Sequence, residues 1–188
     1  MRTVTVEEVE PRELGKGSSC RRLSDPLGTT DLAINRYRVG PGDRLWGLHA
    51  HADQEEVYLV LEGEATLETE RGTVPLEAGE TARFAPGEFH GVKNGGESGV
   101  TLLALGAPRE TGDLRVPIPC QGCGHQCTGP TVTEDGDAAL RCPDCGTDSA
   151  VECPECGSDE KRAVLAEDGE TVLDTCLDCG HGAAVSRF

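Results

Sequence analysis

Up to about residue 108 the chain alternates short apolar runs with Gly, Pro and acidic turns: LAINRYRV, EVYLVLEG, ATLETE, TVPLEAG, TARFAPG and VTLLALG. The runs have strand length and are rich in Val, Leu and Thr. No 3.6-residue period lasts beyond two turns, so the region reads as all-β. Arg71-Gly72, between ATLETE and TVPLE, has hairpin-turn character, and Gly95-Gly96 marks another turn. The pattern stops after Leu105. GAPRETGDLRVPIP is polar, carries three prolines and has no periodicity, as a linker would.

Beyond the linker, cysteine takes over from apolar residues as the recurring element. Of ten cysteines, Cys20 stands alone and nine fall between Cys120 and Cys179, eight of them in four Cys-x-x-Cys pairs. CQGC and CPDC are separated by 18 residues, and CPEC and CLDC by 19, so the tail reads as one plan used twice. In a reducing compartment this arrangement means metal rather than disulfides. A Cys-x-x-Cys turn aims two thiolates at one point, and two such turns complete a tetrahedron for structural zinc. Glycine follows the second cysteine of each pair, where the turn needs positive φ.

The pairs resemble zinc-ribbon knuckles. The resemblance implies one zinc at Cys120, Cys123, Cys142 and Cys145, and another at Cys153, Cys156, Cys176 and Cys179. A crossed pairing in which the central knuckles share an ion is the alternative by spacing. The knuckles also resemble those of rubredoxin, whose iron carries electrons, but Phe188 is the tail's only aromatic residue. Cys127, His125 and His181 are spare potential ligands, and Cys20 is read as an inert thiol. The expected layout is a front domain over 1–108, a linker over 109–117, and ribbons over 118–148 and 149–188.

Charge narrows the partners. The 188 residues carry a formal charge of −17, with 34 acidic against 17 basic side chains, of which only Lys16, Lys93 and Lys161 are lysines. Such a surface suits concentrated salt, where screening suppresses self-repulsion, and it points to a halophilic, cytoplasmic protein. It disfavours phosphate backbones and anionic membranes as partners. From Arg109 onward there are 6 basic and 16 acidic residues, so ribbons of this charge fit protein docking or packing on the front domain better than nucleic acid. No run of 18 apolar residues is present to span a membrane, and the N-terminus lacks the apolar core of a secretory signal.

The chemistry of the front half lies in HAHADQEEVYLVLEG, from His49 to Gly63. Residues two apart on a strand share a face, so His49 and His51 present both rings to one side of a sheet. If that side is the interior, two unpartnered imidazoles would cost several kcal/mol unless a cation ties them together. Glu56 enters from the next strand as a carboxylate ligand. Glu55 is its rival, but the two face opposite ways and only one can serve.

Gly42 to Gly63, GDRLWGLHAHADQEEVYLVLEG, resembles the first motif of the cupins, and Gly79 to Asn94, GETARFAPGEFHGVKN, resembles the second, which adds His90. One departure is that Pro86 stands one residue after the usual proline position, held here by Ala85. The resemblance spans roughly residues 30 to 106. It implies a double-stranded β-helix, or jelly-roll barrel, with one divalent transition metal held by His49, His51, Glu56 and His90 in the barrel mouth. Iron, manganese, nickel, zinc and copper all suit three imidazoles and a carboxylate. Trp46, Tyr58, Arg36, Arg38 and Phe89 are candidate pocket residues, although aromatics are more commonly core and strand arginines solvated. Two functions are expected from the resemblance: an enzyme of dioxygenase or isomerase type acting on a small oxygen-rich molecule, or a non-catalytic ligand sensor whose ribbons contact a partner. A homodimer is a further expectation from the same source.

Overall fold

In the computed structural model, which describes residues 1–15 and 17–188, every extended run of the first half becomes a strand. The front strands are β1 (Arg12–Gly15), β2 (Ser18–Arg22), β3 (Ala33–Val39), β4 (Arg44–His51), β5 (Glu55–Glu62), β6 (Glu64–Thr69), β7 (Gly72–Glu77), β8 (Thr81–Phe84), β9 (His90–Lys93) and β10 (Val100–Ala107). A single helical turn, α1 (Ser24–Leu27), links β2 to β3. The tail adds β11 (Leu114–Arg115), β12 (Gly129–Val132), β13 (Ala138–Arg141), β14 (Asp148–Ala150), β15 (Lys161–Leu165), β16 (Thr171–Cys176) and β17 (Gly182–Arg187).

Two antiparallel sheets make the front unit. One runs β1-β2-β3-β10-β5-β8 and the other β11-β4-β9-β6-β7. Alternation along each strand puts one side chain in two between the sheets. There Val39, Leu45, Tyr58, Val60, Leu67, Phe84, Val92 and Leu102 are buried in one core. The expected turn at Arg71-Gly72 closes the β6–β7 hairpin, where Thr69 pairs with Gly72 at φ 99°.

The tail forms two separate three-stranded sheets, β12-β13-β14 and β15-β16-β17. The second packs on the outer face of β4, where Leu48 is fully buried with Ala163, Leu165 and Val172 and contacts Ile118 and Val185. Gly47 has no Cβ for a concrete reason: one built there would lie 2.4 Å from the Ala163 carbonyl oxygen.

The segment read as a linker is fixed at several points. Leu114 and Arg115 pair with His51 and Ala50 as an added edge strand, and the Ala52 amide donates to the Asp113 carbonyl at 2.8 Å. The guanidinium of Arg109 binds Asp25 and the Thr29 carbonyl oxygen. A strand of two residues is too short to leave a period in the sequence, and its partner lies more than sixty positions away.

Candidate metal centre

The centre is assembled from three strands. β4 carries His49 and His51, β5 carries Glu56, and β9 carries His90, with His49 and His90 directly paired across β4 and β9. One ligand atom each from His49, His51 and Glu56 lies within 4.8 Å of the others. The Nε2 of His90 is 2.7 Å from Glu56 Oε2, and that of His51 is 3.6 Å from the same oxygen. The His49 and His90 rings are 4.6 Å apart at their centroids. Glu55 points the other way and pairs with Arg83 on the exposed face.

What makes the set fit a cation is the orientation of the rings. His49 Nδ1 meets the Gly47 carbonyl at 2.9 Å, and His90 Nδ1 meets the Glu88 carbonyl at 3.0 Å. Carbonyl oxygens only accept, so both Nδ1 atoms carry hydrogen. His51 Nδ1 lies 3.2 Å from the Thr111 hydroxyl, which itself donates to Asp53, so it too faces an acceptor. The three Nε2 atoms are thereby left for the centre, that of His90 already in contact with Glu56, the arrangement in which outer hydrogen bonds orient histidine ligands. A cation at the centre would be held by these side chains in place of the direct contact between His90 Nε2 and Glu56.

Electrostatics favour the same ligand states. Burial, reinforced by neighbouring His90, pushes His49 down to about 4, and burial likewise lowers His51, so both rings are neutral near pH 7. Burial pushes Glu56 up, but its hydrogen bond and charge interaction with His90, together with His51 and His49, outweigh this and leave it below its ordinary value. Three imidazoles and one carboxylate are a borderline donor set suited to a first-row divalent ion.

Several supporting residues carry no sequence signal. Phe84 stacks on His90 at 4.2 Å and 12°. Buried Gln54 occupies the space over Gly106 that a side chain there would need, and donates to the Pro108 carbonyl at 2.6 Å. Thr111 comes from the presumed linker. Of the candidate pocket residues, Tyr58 places its hydroxyl 3.5 Å from both Glu56 and His90. Arg36 is instead bound by Glu7, Arg38 packs beside Gly99, and Phe89 rests against Phe188. Trp46 stands at φ 50° in an irregular stretch of β4, a conformation costing a bulky residue about 1–3 kcal/mol.

In the tail the cysteines gather as Cys120, Cys123, Cys142 and Cys145, and as Cys153, Cys156, Cys176 and Cys179. Closest Sγ–Sγ separations are 3.6–3.7 Å. Disulfide sulfurs would be about 2.05 Å apart, whereas four bonds of about 2.3 Å to a tetrahedral zinc put sulfurs about 3.8 Å apart. Within each crowded quartet the thiols divide. Cys145 is drawn down to about 6 by the Thr147 hydroxyl and amide, and Cys176 to about 6, chiefly by the Cys179 amide. Cys123 and Cys156 are instead pushed up to about 12 and Cys179 is also raised: against the pull of a backbone amide on each, burial and hydrogen bonds to neighbouring sulfurs hold their protons. Glycines 124, 146, 157 and 180 adopt φ of 73–77° after each pair. Cys127 lies outside both quartets, 3.5 Å from His125 Nε2.

Known proteins extend the picture. Residues 35–106 match the family described as Cupin domain. An oxalate-binding protein of Thermotoga maritima is 33% identical over 105 residues, 54% of this chain and 86% of that protein. Among solved structures, the polyketide cyclase RemF from Streptomyces resistomycificus aligns with a TM-score of 0.55 and 26% identity, covering 64% of this chain and 88% of its own. A sugar phosphate isomerase from Silicibacter pomeroyi aligns at a TM-score of 0.54, covering 88% of this chain and 98% of its own; at 22% identity it speaks for the fold alone. With a front unit of two facing sheets, paired histidine motifs on adjacent strands, the family match over residues 35–106 and a relative 33% identical over 105 residues, the chain belongs to the cupin-domain family.

Proposed function

We propose that the protein binds a divalent transition metal through His49, His51, Glu56 and His90, and uses it to hold a small oxygen-rich molecule. The observation that carries this reading is the common orientation of the three imidazoles, each with Nδ1 committed to an acceptor and Nε2 turned towards Glu56. A barrel that only needed filling would gain nothing from three such constraints. When bound, the ion supplies Lewis acidity and a template for ligand oxygens. The protein's own part is to keep the His49 and His51 rings neutral, to place the Tyr58 hydroxyl beside Glu56 and His90, and to exclude water from the side stacked on Phe84.

The two cysteine quartets hold structural zinc in this reading and provide folding energy where the apolar core is small. A second reading, ligand binding without turnover and with the ribbons contacting a partner protein, draws support from the oxalate-binding relative. Oxalate is therefore the first ligand to try: loss of oxalate favours the enzyme, and stoichiometric binding without loss favours the sensor. Elemental analysis tests the shared premise. The wild-type chain should hold about two zinc ions and one further metal, while His49→Ala and His90→Ala should each lose the further metal and keep the zinc. Unchanged metal content in both variants sinks the reading.

A further inference from the structure

The tail does not close completely over the barrel. Between β4, the segment after β11 and both tail sheets lies a cleft of about 780 Å³, within the size range of small-molecule sites. Its walls are largely apolar: Val116 and Ile118 follow β11, Leu140 and Val151 come from the first tail sheet and its end, and Val185 from the second. Three large apolar side chains that stay exposed, Trp46, Leu114 and Leu177, converge on this cleft. Exposed apolar groups scattered singly mean little, but gathered in one concave place they mark a binding surface. Trp46 stands there in the strained backbone conformation described above, and it is the one described residue other than glycine with positive φ.

One polar group in this wall lacks a partner. Asp174 on β16 is opposite Ala163 on β15, and Ala163 packs with Leu48 of β4, so Asp174 lies on the face of the second tail sheet that is turned towards β4. Lys161, two positions before Ala163, shares that face and binds Asp174 Oδ2. Asp174 Oδ1 is buried and has no hydrogen-bond partner among the described residues. A buried acceptor of this kind costs stability until a donor reaches it. The charges of the wall set the sign of that donor. Glu152, Asp159, Glu160 and Asp174 stand against Lys161 and Arg162, so the cleft is net negative and disfavours a carboxylate or a phosphate.

We propose that this cleft binds an apolar primary amine: the ammonium group donates to Asp174 Oδ1, and the hydrocarbon body lies along the apolar walls, one of which, Trp46, has a ring face that favours a cation. His49 and His51 also belong to the wall, but the contacts that define this site come from the tail, so it stands apart from the metal reading above.

The test uses full-length zinc-loaded protein at low ionic strength and methylamines carrying a cyclohexyl, phenyl or naphthyl body, each matched with the alcohol and the carboxylic acid on the same body. Titration calorimetry should show the best amine binding at least about tenfold more tightly than its alcohol, and the acid binding more weakly than either. Asp174→Asn should abolish the preference for the amine while the alcohol still binds. Ala150→Trp, at an exposed position in the wall, should weaken amine and alcohol together with no core to disturb. Zinc content reports whether each variant keeps its tail intact, and the Ala150→Trp arm and the amine–alcohol comparison decide the matter even where Asp174→Asn releases zinc. Equal affinity for amine and alcohol, a preference unaltered in zinc-loaded Asp174→Asn, affinities unmoved by Ala150→Trp, or binding of none of the compounds overturns the assignment.

Discussion

At the level of single residues, the centre depends on groups that never touch the ligand position. Thr111 is the clearest. Its hydroxyl hydrogen goes to Asp53, so its oxygen is left to accept from His51 Nδ1. Asp53 is in turn held by the Gly112 amide at 2.9 Å. Replacing Thr111 by Val keeps the shape but removes the acceptor, freeing the His51 ring to rotate and change tautomer. Affinity for the barrel metal should fall about 10- to 100-fold, the usual effect of losing an outer hydrogen bond to a histidine ligand. Competition against a chelator would measure it, with zinc content unchanged. The four candidate positions themselves were legible, because histidine is scarce here and the spacing of His49, His51, Glu56 and His90 matches a known pair of motifs. Thr111, Gln54 and Phe84 were not, because a Thr, a Gln and a Phe in a β-rich chain have many ordinary roles, and only proximity separates them from the rest.

Among elements, β4 serves two faces. Its inward positions hold His49 and His51, while outward Leu48 is sealed by the second tail sheet. Gly47 joins the two faces: its carbonyl orients His49, and its missing side chain lets β15 approach. Gly47→Ala should therefore cost about 1–3 kcal/mol through overpacking against backbone that cannot yield, visible as a lower melting temperature. The same strain should loosen the barrel metal. Strand existence was readable from alternation in LAINRYRV through VTLLALG, and so was the β6–β7 turn. The edge strand β11 left no trace, since two residues cannot display a period and its pairing with β4 is long-range.

Over the whole molecule, the tail acts as an external brace for the strand that bears two of the metal-centre histidines. Cys176→Ser removes one sulfur from the second quartet. The chain should then lose one zinc, and β4 should lose protection in hydrogen exchange, because Leu48 would give up burial worth about 1.5–3 kcal/mol. If β4 kept its full protection, the tail would be independent of the barrel. No helix of the described residues is long and apolar enough to cross a membrane. The amino-acid sequence alone determined the all-β class, the cysteine quartets and the histidines and glutamate that gather in the front half, since these follow from local period and from rare residue types at fixed spacing. Tertiary structure alone decided that a supposed linker supports His51, that Gln54 and Phe84 pack around the centre, and that the second tail sheet lies behind β4. Each of these depends on which strands become neighbours, and that is settled by burying apolar faces across long stretches of chain, not by any local pattern.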